Sequence, residues 1–362
     1  MKTFTVTFHF GTNYGALLQT YALQQAILMK GHDNLVMEYG PSKLIPLSLR
    51  HPRQLLATLY RRFQGRLRRK KVQALKASFR RFHEEHLKLS RVYQHIDDLR
   101  RDPPLVDCLI TGSDQVWNLH SRKSTIPTRF LDFGNASLRR FSFAASIEKL
   151  DYTPEEKDYV RRALANFRGI SLREESARAY MEEITGRPCV QTADPVFLLT
   201  AQQWLSIARP SRFEGPYILC YQVQRHPLMQ WALDELKRRT GWPVVAVCPT
   251  AMRYCRADHY LHDASPEEFL SLYAGASAVV TASFHGTAFA LLFGKPVYSL
   301  ARDGFASRQM DLMHAFGLDA YVIRSKGSLP GISTDAVQRQ EKLAAIRKDA
   351  HQYLERMLND EE

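Results

Sequence analysis

Cysteine is scarce in this chain, and its positions do not suit covalent or metal chemistry. The 362 residues include five cysteines, an odd number, and no two of them form a Cys-x-x-Cys pair. A disulfide framework or a zinc site is therefore not expected, and scattered thiols are typical of a reducing compartment. The sequence also lacks a Gly-x-Ser-x-Gly elbow and a Gly-rich dinucleotide fingerprint after its first strand. We expect neither a metal nor a cofactor.

Long apolar runs are missing as well. No uninterrupted run approaches the ~20 residues that a membrane-spanning helix needs. The amino-terminal stretch "MKTFTVTFHF" is typical of a strand and lacks the apolar core of a signal peptide. The sequence therefore predicts a soluble, cytoplasmic protein.

Acidic residues are outnumbered by basic ones. The chain has 50 Lys and Arg against 37 Asp and Glu, which gives a net charge of +13 and a pI near 9.5. Such a balance favours anionic partners such as phosphate-bearing metabolites, nucleic acid or acidic lipid, although it also serves solubility alone. The most basic stretch, 51–91, repeats apolar residues every three or four positions, which predicts helices. These helices form either a surface hairpin or a peripheral contact with an anionic membrane.

Predicted strands and helices alternate through two halves of similar size. This alternation is typical of an α/β protein with parallel sheets. The segment Ala208–Pro216 is rich in Pro, Gly and charge, and the alternation restarts after it. The sequence thus predicts an N-terminal domain at 1–207, a C-terminal domain at 208–330 and a C-terminal helix within 331–362.

Polar loops follow several of the predicted strands. In open parallel sheets, ligands bind beyond the carboxyl ends of the strands, and two such domains that face each other form a central cleft. We expect these loops to line the cleft. They are Asn13–Gly15, Gly112–Asn118, Arg173–Glu175 and Ser283–Thr287.

The last of these loops, "SFHGT", joins a buried strand to an apolar helix. A helix N-terminus presents unpaired N–H groups and a partial positive charge, so it attracts anions. Gly286 lets backbone approach a ligand, and Ser283 and Thr287 add hydroxyl donors. His285 exchanges a proton near neutral pH, so the cluster suits acid–base chemistry on a phosphate ester. A structural interpretation is also open, in which Ser283 caps the helix and His285 is a satisfied, partly buried histidine.

Two charged residues at other strand ends have similar alternatives. Arg173 suits a bidentate clamp on a carboxylate or phosphate, but Glu174 or Glu175 could pair with it instead. Asp114 is usable as a base or as an acceptor for sugar hydroxyls, or it simply forms a turn. Asp194 precedes a proline, and this pair predicts a structural turn.

Five segments together resemble the polysaccharide pyruvyl transferase family. They are NYGALLQTYAL, TGSDQVWN, SLREES, ADPVFLL and SFHGTAFALLFGKP, in this order and with these separations. The similarity runs from about Asn13 to Leu318, and GSDQVWN and SFHG are its most specific parts. The resemblance implies a GT-B-like fold, in which two Rossmann-like domains enclose a central cleft. It also implies transfer of a pyruvyl group from phosphoenolpyruvate to a sugar of a surface polysaccharide, as a cyclic ketal.

The resemblance further implies roles for individual residues. In relatives, the Arg at the position of Arg173 and the His at the position of His285 contact the donor. Some members carry an Arg two residues before this His, where this chain has Ser283. We therefore expect another cation, Arg302 or Arg308, to help hold the phosphate.

These considerations lead to a specific set of expected site residues. We expect His285 to serve in the proton transfer and Asp114 to act on the acceptor hydroxyl. The residues expected to bind substrate are Arg173, Ser283, Gly286, Thr287, Asn13, Tyr14, Gly15, Gln115 and Arg302. The expected partners are phosphoenolpyruvate, a glycan or lipid-linked sugar, and an anionic membrane through 51–91, without nucleic acid.

Two other functional classes stay open. A nucleotide-sugar-dependent glycosyltransferase uses the same fold and would bind a uridine or guanosine diphosphate sugar in the cleft. A non-enzymatic basic protein would bind nucleic acid or membrane through 51–91, and its salt-sensitive binding would survive loss of Arg173 and His285. The polar loops at strand ends count against this second class.

Overall fold

The first part of the chain forms a parallel sheet. The computed structural model describes residues 1–39, 69–121, 123–147, 149–250, 252–301, 307–332 and 336–359. The strands of this N-terminal sheet are β1 (Lys2–Val6), β2 (Asp33–Tyr39), β3 (Leu89–Tyr93), β4 (Cys108–Thr111) and β5 (Arg139–Ser142). Their order across the sheet is β3-β2-β1-β4-β5, and every neighbouring pair is parallel. A short parallel pair continues beyond β5, and it consists of β6 (Ser171–Leu172) and β7 (Val190–Gln191).

The second part of the chain repeats this arrangement. The C-terminal sheet consists of β8 (Ile218–Tyr221), β9 (Val244–Val247), β10 (His259–Leu261), β11 (Ala278–Thr281), β12 (Val297–Leu300) and β13 (Val322–Ile323). Its order is β10-β9-β8-β11-β12-β13, again parallel. Both sheets therefore have the strand order of a Rossmann fold, with a switch point between β1 and β4 and another between β8 and β11. The expectation of two Rossmann-like units is confirmed.

Helices cover the faces of both sheets. In the part of the chain that the structure describes they are α1 (Tyr14–Met29), α2 (Arg69–His86), α3 (Ile96–Arg101), α4 (Ile126–Arg129), α5 (Pro154–Leu164), α6 (Glu175–Thr185), α7 (Ala201–Leu205), α8 (Met229–Thr240), α9 (Pro266–Gly275), α10 (Phe284–Leu292), α11 (Ser307–Ala315) and α12 (Ala336–Asn359). Short 3-10 turns occur at Lys123–Thr125, Pro195–Leu198 and Asp319–Tyr321. Among the described residues, no helix is long and apolar enough to cross a bilayer.

Helices α5 and α9 begin with side-chain caps. The Thr153 hydroxyl accepts the N–H of Glu156, whose carboxylate in turn accepts the N–H of Thr153, and this capping box starts α5. The Ser265 hydroxyl accepts the N–H of Glu268 at the start of α9. A proline follows each cap at the first helical position, where its missing N–H costs nothing.

The two sheets share one apolar cluster. Tyr14, in the first turn of α1, stacks on Phe269 of α9, with ring centroids 4.4 Å apart and planes inclined by 9°. The Tyr14 hydroxyl donates to the Ala264 carbonyl at 2.6 Å. Phe79 of α2 packs into the same cluster as Tyr221 of β8. Buried aromatic contacts therefore fix how the sheets face each other.

The last helix returns to the first sheet. Tyr353 of α12 donates its hydroxyl to the Ser142 carbonyl of β5 at 3.0 Å. Leu354 is fully buried in an apolar cluster with Leu23 of α1 and Ile110 of β4. The helix expected within 331–362 thus completes the core of the N-terminal sheet.

The basic stretch has a more varied structure than the sequence predicts. Residues 51–68 lie outside the described residues, and α2 covers the next part of the stretch. The apolar side of α2 is buried through Leu75, Phe79 and Phe82, so this helix is part of the core as well as the surface. The expectation of helix up to residue 91 is wrong, because the alternating segment Leu89–Tyr93 pairs with β2 as the edge strand β3.

A buried histidine lies just beyond β1. His9 is 1% exposed, and its Nε2 donates to the Met37 carbonyl at 2.9 Å, which fixes the tautomer. Its Nδ1 is buried without a hydrogen-bond partner. Burial is the main reason why the pKa of His9 falls from 6.5 to about 4, and nearby His83 lowers it further.

We expect the free energy of unfolding to decrease as the pH is lowered from about 6.5 to about 4. The unfolded chain binds a proton on His9 near pH 6.5, whereas the folded chain binds it only near pH 4. The loss due to His9 reaches about 3 kcal/mol at the lower end. Urea unfolding at about pH 7 and about pH 4.5 measures it. The His9→Gln variant keeps a donor for Met37 but cannot titrate, so its pH dependence should be shallower, and an equal dependence would contradict this assignment.

Candidate active site between the two sheets

A cavity of about 570 Å³ opens between the two sheets. It lies beyond the carboxyl ends of β1, β4, β8 and β11, at the switch point of each sheet, and its volume is typical of small-molecule sites. The N-terminal side contributes Phe8, Phe10, Asn13, Ala16, Asp114, Gln115 and Ser121. The C-terminal side contributes Tyr221, Val223, Gln224, His226, Ala282, Ser283, Phe284, His285, Arg308 and Gln309.

Three helices begin at the wall of this cavity. Asn13 caps α1, and its side-chain oxygen accepts the Ala16 N–H at 3.3 Å. Ser283 caps α10, and Arg308 and Gln309 lie in the first turn of α11. The positive ends of three helix dipoles thus meet at one space, which favours an anionic ligand.

His285 is part of the wall, in the first turn of α10. Its side chain is 10% exposed, and its Nε2 lies 3.3 Å from Oδ2 of Asp194. This distance allows charge attraction, although the N–H is not aligned for a hydrogen bond. His285 therefore borders the cavity, with its Nε2 buried beside a carboxylate.

Asp194 is the carboxylate around which the charged side chains gather. One oxygen, Oδ2, accepts from Nη1 of Arg173 at 2.7 Å and from the Ser113 hydroxyl at 3.2 Å. The other oxygen, Oδ1, accepts the Val196 N–H at 3.1 Å and caps the turn Pro195–Leu198. The turn that the sequence predicts is present, and the same side chain also joins His285 to Arg173.

Arg173 is buried behind this wall. Its Nε donates to Glu174 at 2.8 Å and its Nη2 to the Ser146 hydroxyl at 3.0 Å, and its guanidinium carbon lies 3.9 Å from the centroid of the Phe284 ring. Arg173 lines a second cavity, of about 150 Å³, and is not among the described residues that line the first. In the structure Arg173 supports Asp194, and the Glu174 pairing that the sequence left open occurs, while the expected donor clamp stays a prediction.

The charges in this cluster shift one another's pKa values. Burial alone would raise the pKa of Asp194, but the charges of His285 and Arg173 outweigh it and hold that pKa well below its usual range. Burial likewise disfavours the charged form of Arg173, yet Glu174 and Asp194 raise its pKa overall. One guanidinium thus faces the two buried carboxylates of Asp194 and Glu174.

Gly15 makes room for the catalytic candidate. A Cβ built on Gly15 would lie 2.2 Å from Nδ1 and 2.3 Å from Cγ of His285, closer than any real contact. The sequence predicts Gly15 as a substrate-binding residue. In the structure this glycine lets the His285 imidazole of the C-terminal half pack against α1 of the N-terminal half.

Three other residues of the "SFHGT" loop, Ser283, Gly286 and Thr287, make contacts within the protein. The Ser283 hydroxyl accepts the Gly286 N–H at 3.3 Å, so the predicted helix cap is present. A Cβ on Gly286 would lie 2.4 Å from the Thr281 hydroxyl, which places this glycine against β11 rather than against a ligand. Thr287 is fully buried and bonds Ser299 at 3.0 Å. Gly286 and Thr287 therefore pack against the protein, and their binding of substrate stays a prediction.

Of two other expected binding residues, one lies in the core and the other lines the cavity. Tyr14 is 1% exposed in the shared core and does not reach the cavity, because its hydroxyl is directed to Ala264. Asn13, next to it, lines the cavity.

Asp114 lines the cavity from the N-terminal side. Its backbone has a φ of 73°, a left-handed conformation that is uncommon outside glycine. Its carbonyl accepts from Val116 and Ser146, and its Oδ1 accepts the Gln115 N–H at 2.9 Å. Strain of this kind at a cavity is typical of functional sites.

A side-chain pair joins the N-terminal and C-terminal sides of the cavity. With its amide oxygen turned inward, Gln115 accepts from both terminal nitrogens of Arg308 at 2.6 and 2.8 Å. Arg308 lines the first and the second cavity, as does Phe284. Of the two cations expected near the phosphate, Arg308 is thus at the cavity, and Arg302 lies outside the described residues.

One group with ligand atoms suited to a metal ion occurs elsewhere in the described part of the chain. Glu85, His86 and Glu267 bring such atoms within 4.8 Å of one another. Arg81 and Arg209 lie 3.8 Å from the buried Glu267 carboxylate and balance its charge. The group is outside the cavity lining.

Known proteins share the fold of this chain. The UDP-GlcNAc 2-epimerase from Neisseria meningitidis, bound to UDP-GlcNAc, is 13% identical, with a TM-score of 0.55 over 99% of this chain and 100% of that one. The UDP-GlcNAc 2-epimerase from Methanocaldococcus jannaschii, in complex with UDP-GlcNAc and UDP, is 11% identical, with a TM-score of 0.50 over 96% and 100%. At such identities the likeness is one of fold, and the fold is GT-B-like. A comparison with curated proteins finds no match.

The order of the motifs, the two facing sheets and the position of the "SFHG" helix agree with a family assignment. The family model described as polysaccharide pyruvyl transferase matches residues 13–304, which is most of the chain. The chain belongs to the polysaccharide pyruvyl transferase family.

Proposed function

We propose that the protein transfers a pyruvyl group from phosphoenolpyruvate to two hydroxyls of one sugar, in a surface polysaccharide or its lipid-linked precursor. Family membership indicates a transferase that acts on polysaccharide. The observation that carries the finer proposal is the His285 imidazole in the cavity wall, 3.3 Å from the buried Asp194 carboxylate and at the positive ends of three helices. An acid–base group in an anion-binding space suits an enol phosphate.

The donor carries a phosphate and a carboxylate, so it needs fixed positive charge. Arg308 supplies a guanidinium at the cavity, and a guanidinium holds two oxygens of an anion at once. The first turns of α10 and α11 add their dipoles. Donor binding would draw Arg308 from the Gln115 amide to the anion.

The reaction begins when an acid places a proton on the methylene carbon of the donor. Oxocarbenium character develops at the neighbouring carbon, a sugar hydroxyl adds there, and that hydroxyl loses its proton. The bond between this carbon and the bridging oxygen of the phosphate group then breaks, and inorganic phosphate leaves. A second hydroxyl of the same sugar closes the ring and loses its proton. One donor and one diol thus give one cyclic ketal and one phosphate.

His285 is our candidate for the proton transfer or for stabilising the leaving phosphate. Asp194 is a positioning residue, because it contacts the imidazole and is itself held by Arg173 and Ser113. Asp114, on the opposite side of the cavity, is our candidate for the acceptor hydroxyl. No cofactor is needed, because the donor already carries the activated carbon.

A second candidate is a glycosyltransferase that uses a nucleotide sugar. The Neisseria meningitidis epimerase of the same fold is bound to UDP-GlcNAc, which favours this class. Calorimetry separates the two: binding of phosphoenolpyruvate without UDP-GlcNAc supports the pyruvyl transferase, and the reverse supports the alternative.

We expect His285→Ala to lower the rate of pyruvyl transfer about 10²–10⁴-fold, because general acid–base help is lost. The assay combines phosphoenolpyruvate with a panel of methyl or lipid-linked sugars, and mass spectrometry detects the added pyruvate less water while released phosphate is measured. The exposed His314 gives the matched control, His314→Ala, which should keep wild-type turnover. Near wild-type turnover of His285→Ala would remove this residue from the mechanism.

For Asp194→Asn we expect kcat to fall about 10²-fold, at the lower end of the same range, with the KM for phosphoenolpyruvate little changed. Loss of the charge beside His285 should also alter the pH profile of kcat, whereas a merely structural defect would lower activity equally at every pH. Thermal unfolding checks that the variant is folded, since breaking a buried pair costs about 3–5 kcal/mol.

Gly15→Ala should lower kcat, because the new methyl group must displace the His285 ring. Gly327 is the control: a Cβ there meets nothing within 4 Å, and its backbone is not left-handed, so Gly327→Ala should be active. If Gly15→Ala turned over like wild type, the close approach would not matter to catalysis.

We further place the protein in the cytoplasm, in peripheral contact with the inner membrane face where lipid-linked sugars lie. α2 exposes Lys70, Lys71, Lys76 and Arg80. Basic residues of this kind attract anionic lipid. We expect flotation with anionic liposomes at moderate salt and none with neutral ones, and lack of association with the anionic liposomes would end this part of the proposal.

A further inference from the structure

The apolar side of β1 continues beyond the end of the strand and reaches the cavity. Phe4 and Val6 lie on this side and are almost fully buried in the core of the N-terminal sheet. Phe8 and Phe10 continue the same alternation, but they are only half-buried and line the cavity. Both rings therefore border the cavity, while the Arg129 guanidinium lies over the Phe8 ring at 5.5 Å and the Phe10 ring contacts that of His9 at 4.3 Å.

Hydrogen bonds next to the two phenylalanines hold the backbone of this segment in place. The Thr7 hydroxyl donates to the Ser113 carbonyl at 2.8 Å, and His9 donates to Met37 at 2.9 Å. The Phe8 carbonyl accepts from the Gln19 amide and from the Thr20 hydroxyl, each at 3.2 Å. These hydrogen bonds fix the backbone that carries the two phenylalanines at the cavity.

The polar groups next to these rings complete a carbohydrate-like environment. Asp114 and Ser121 lie on the same side of the cavity, whereas His285 and Arg308 lie on the other. The C–H groups on one face of a pyranose ring are apolar, and its hydroxyls at the edge need hydrogen-bond partners. An aromatic wall with carboxylate and hydroxyl groups beside it matches both needs.

We propose that Phe8 and Phe10 form the subsite for the acceptor sugar, with the C–H face of a neutral pyranose ring stacked on the aromatic wall. This inference rests on the proposed function, because it assigns the opposite side of the cavity to the anionic donor. The ring then lies between the phenylalanines and His285, with a hydroxyl pair directed to the donor. The Asp114 carboxylate disfavours a uronic acid at this position by charge repulsion.

The test compares acceptor and donor kinetics in Phe8→Ala and Phe10→Ala. Each substitution should raise the KM for the sugar about tenfold, because the loss of one typical ring contact weakens binding by about that factor. The KM for phosphoenolpyruvate should stay within about twofold of the wild-type value. Phe10→Trp keeps an aromatic face and should restore acceptor affinity, whereas Phe10→Leu should not. Phe213 is half-buried outside the cavity, so Phe213→Ala is the matched control.

A binding measurement distinguishes failure of this inference from failure of the proposed function. Saturation-transfer NMR is done with methyl glucoside, galactoside and mannoside and with methyl glucuronide, because a nitrophenyl group would itself stack on phenylalanine. We expect transfer to the C–H protons of a neutral glycoside, loss of that transfer in both alanine variants, and weaker transfer to the glucuronide. If these glycosides bind but phosphoenolpyruvate does not, the subsite stands and the pyruvyl transfer fails.

Two results would overturn the subsite. The first is wild-type pyruvylation together with an unchanged acceptor KM in both alanine variants. The second is the absence of saturation transfer to every neutral glycoside of the panel.

Discussion

The buried carboxylate of Asp194 is the interaction on which the site depends. An ionised carboxylate away from water is costly unless opposite charge and hydrogen bonds surround it. Arg173 and His285 supply that charge, and they come from distant parts of the chain, after β6 and after β11. The contact between His285 and Asp194 therefore compensates a buried charge and also holds the imidazole of the C-terminal half beside the N-terminal half.

Helix α1 gives this arrangement its precision. Its cap, Asn13, lies at the cavity, and its first two residues are Tyr14 in the shared aromatic core and Gly15 against the His285 ring. Of these three consecutive residues, Asn13 borders the cavity, Tyr14 fills the core, and Gly15 leaves space for the His285 ring. Since rigid elements position catalytic groups better than loops do, the imidazole is held by a helix start on each side.

Alternating strands and helices were enough to predict two parallel α/β units and the side of each sheet that carries the cavity. The motifs also identified His285, Ser283, Asn13 and Asp114 as cavity residues. They did not reveal Asp194, because its Asp-Pro signal predicts a turn and that turn exists. Motif spacing also cannot tell a glycine that meets a ligand from one that meets protein, as Gly15 and Gly286 demonstrate. Such distinctions depend on contacts between residues far apart in sequence.

The return of α12 to the first sheet has a mechanical consequence. The chain passes between the sheets twice, through the segment Ala208–Pro216, which has no helix or strand, and again after β13. The second unit is therefore tethered at both of its ends. If the cleft widens while both tethers stay in place, the motion is a rotation about the line that joins them, and it must also part the apolar cluster that the two sheets share.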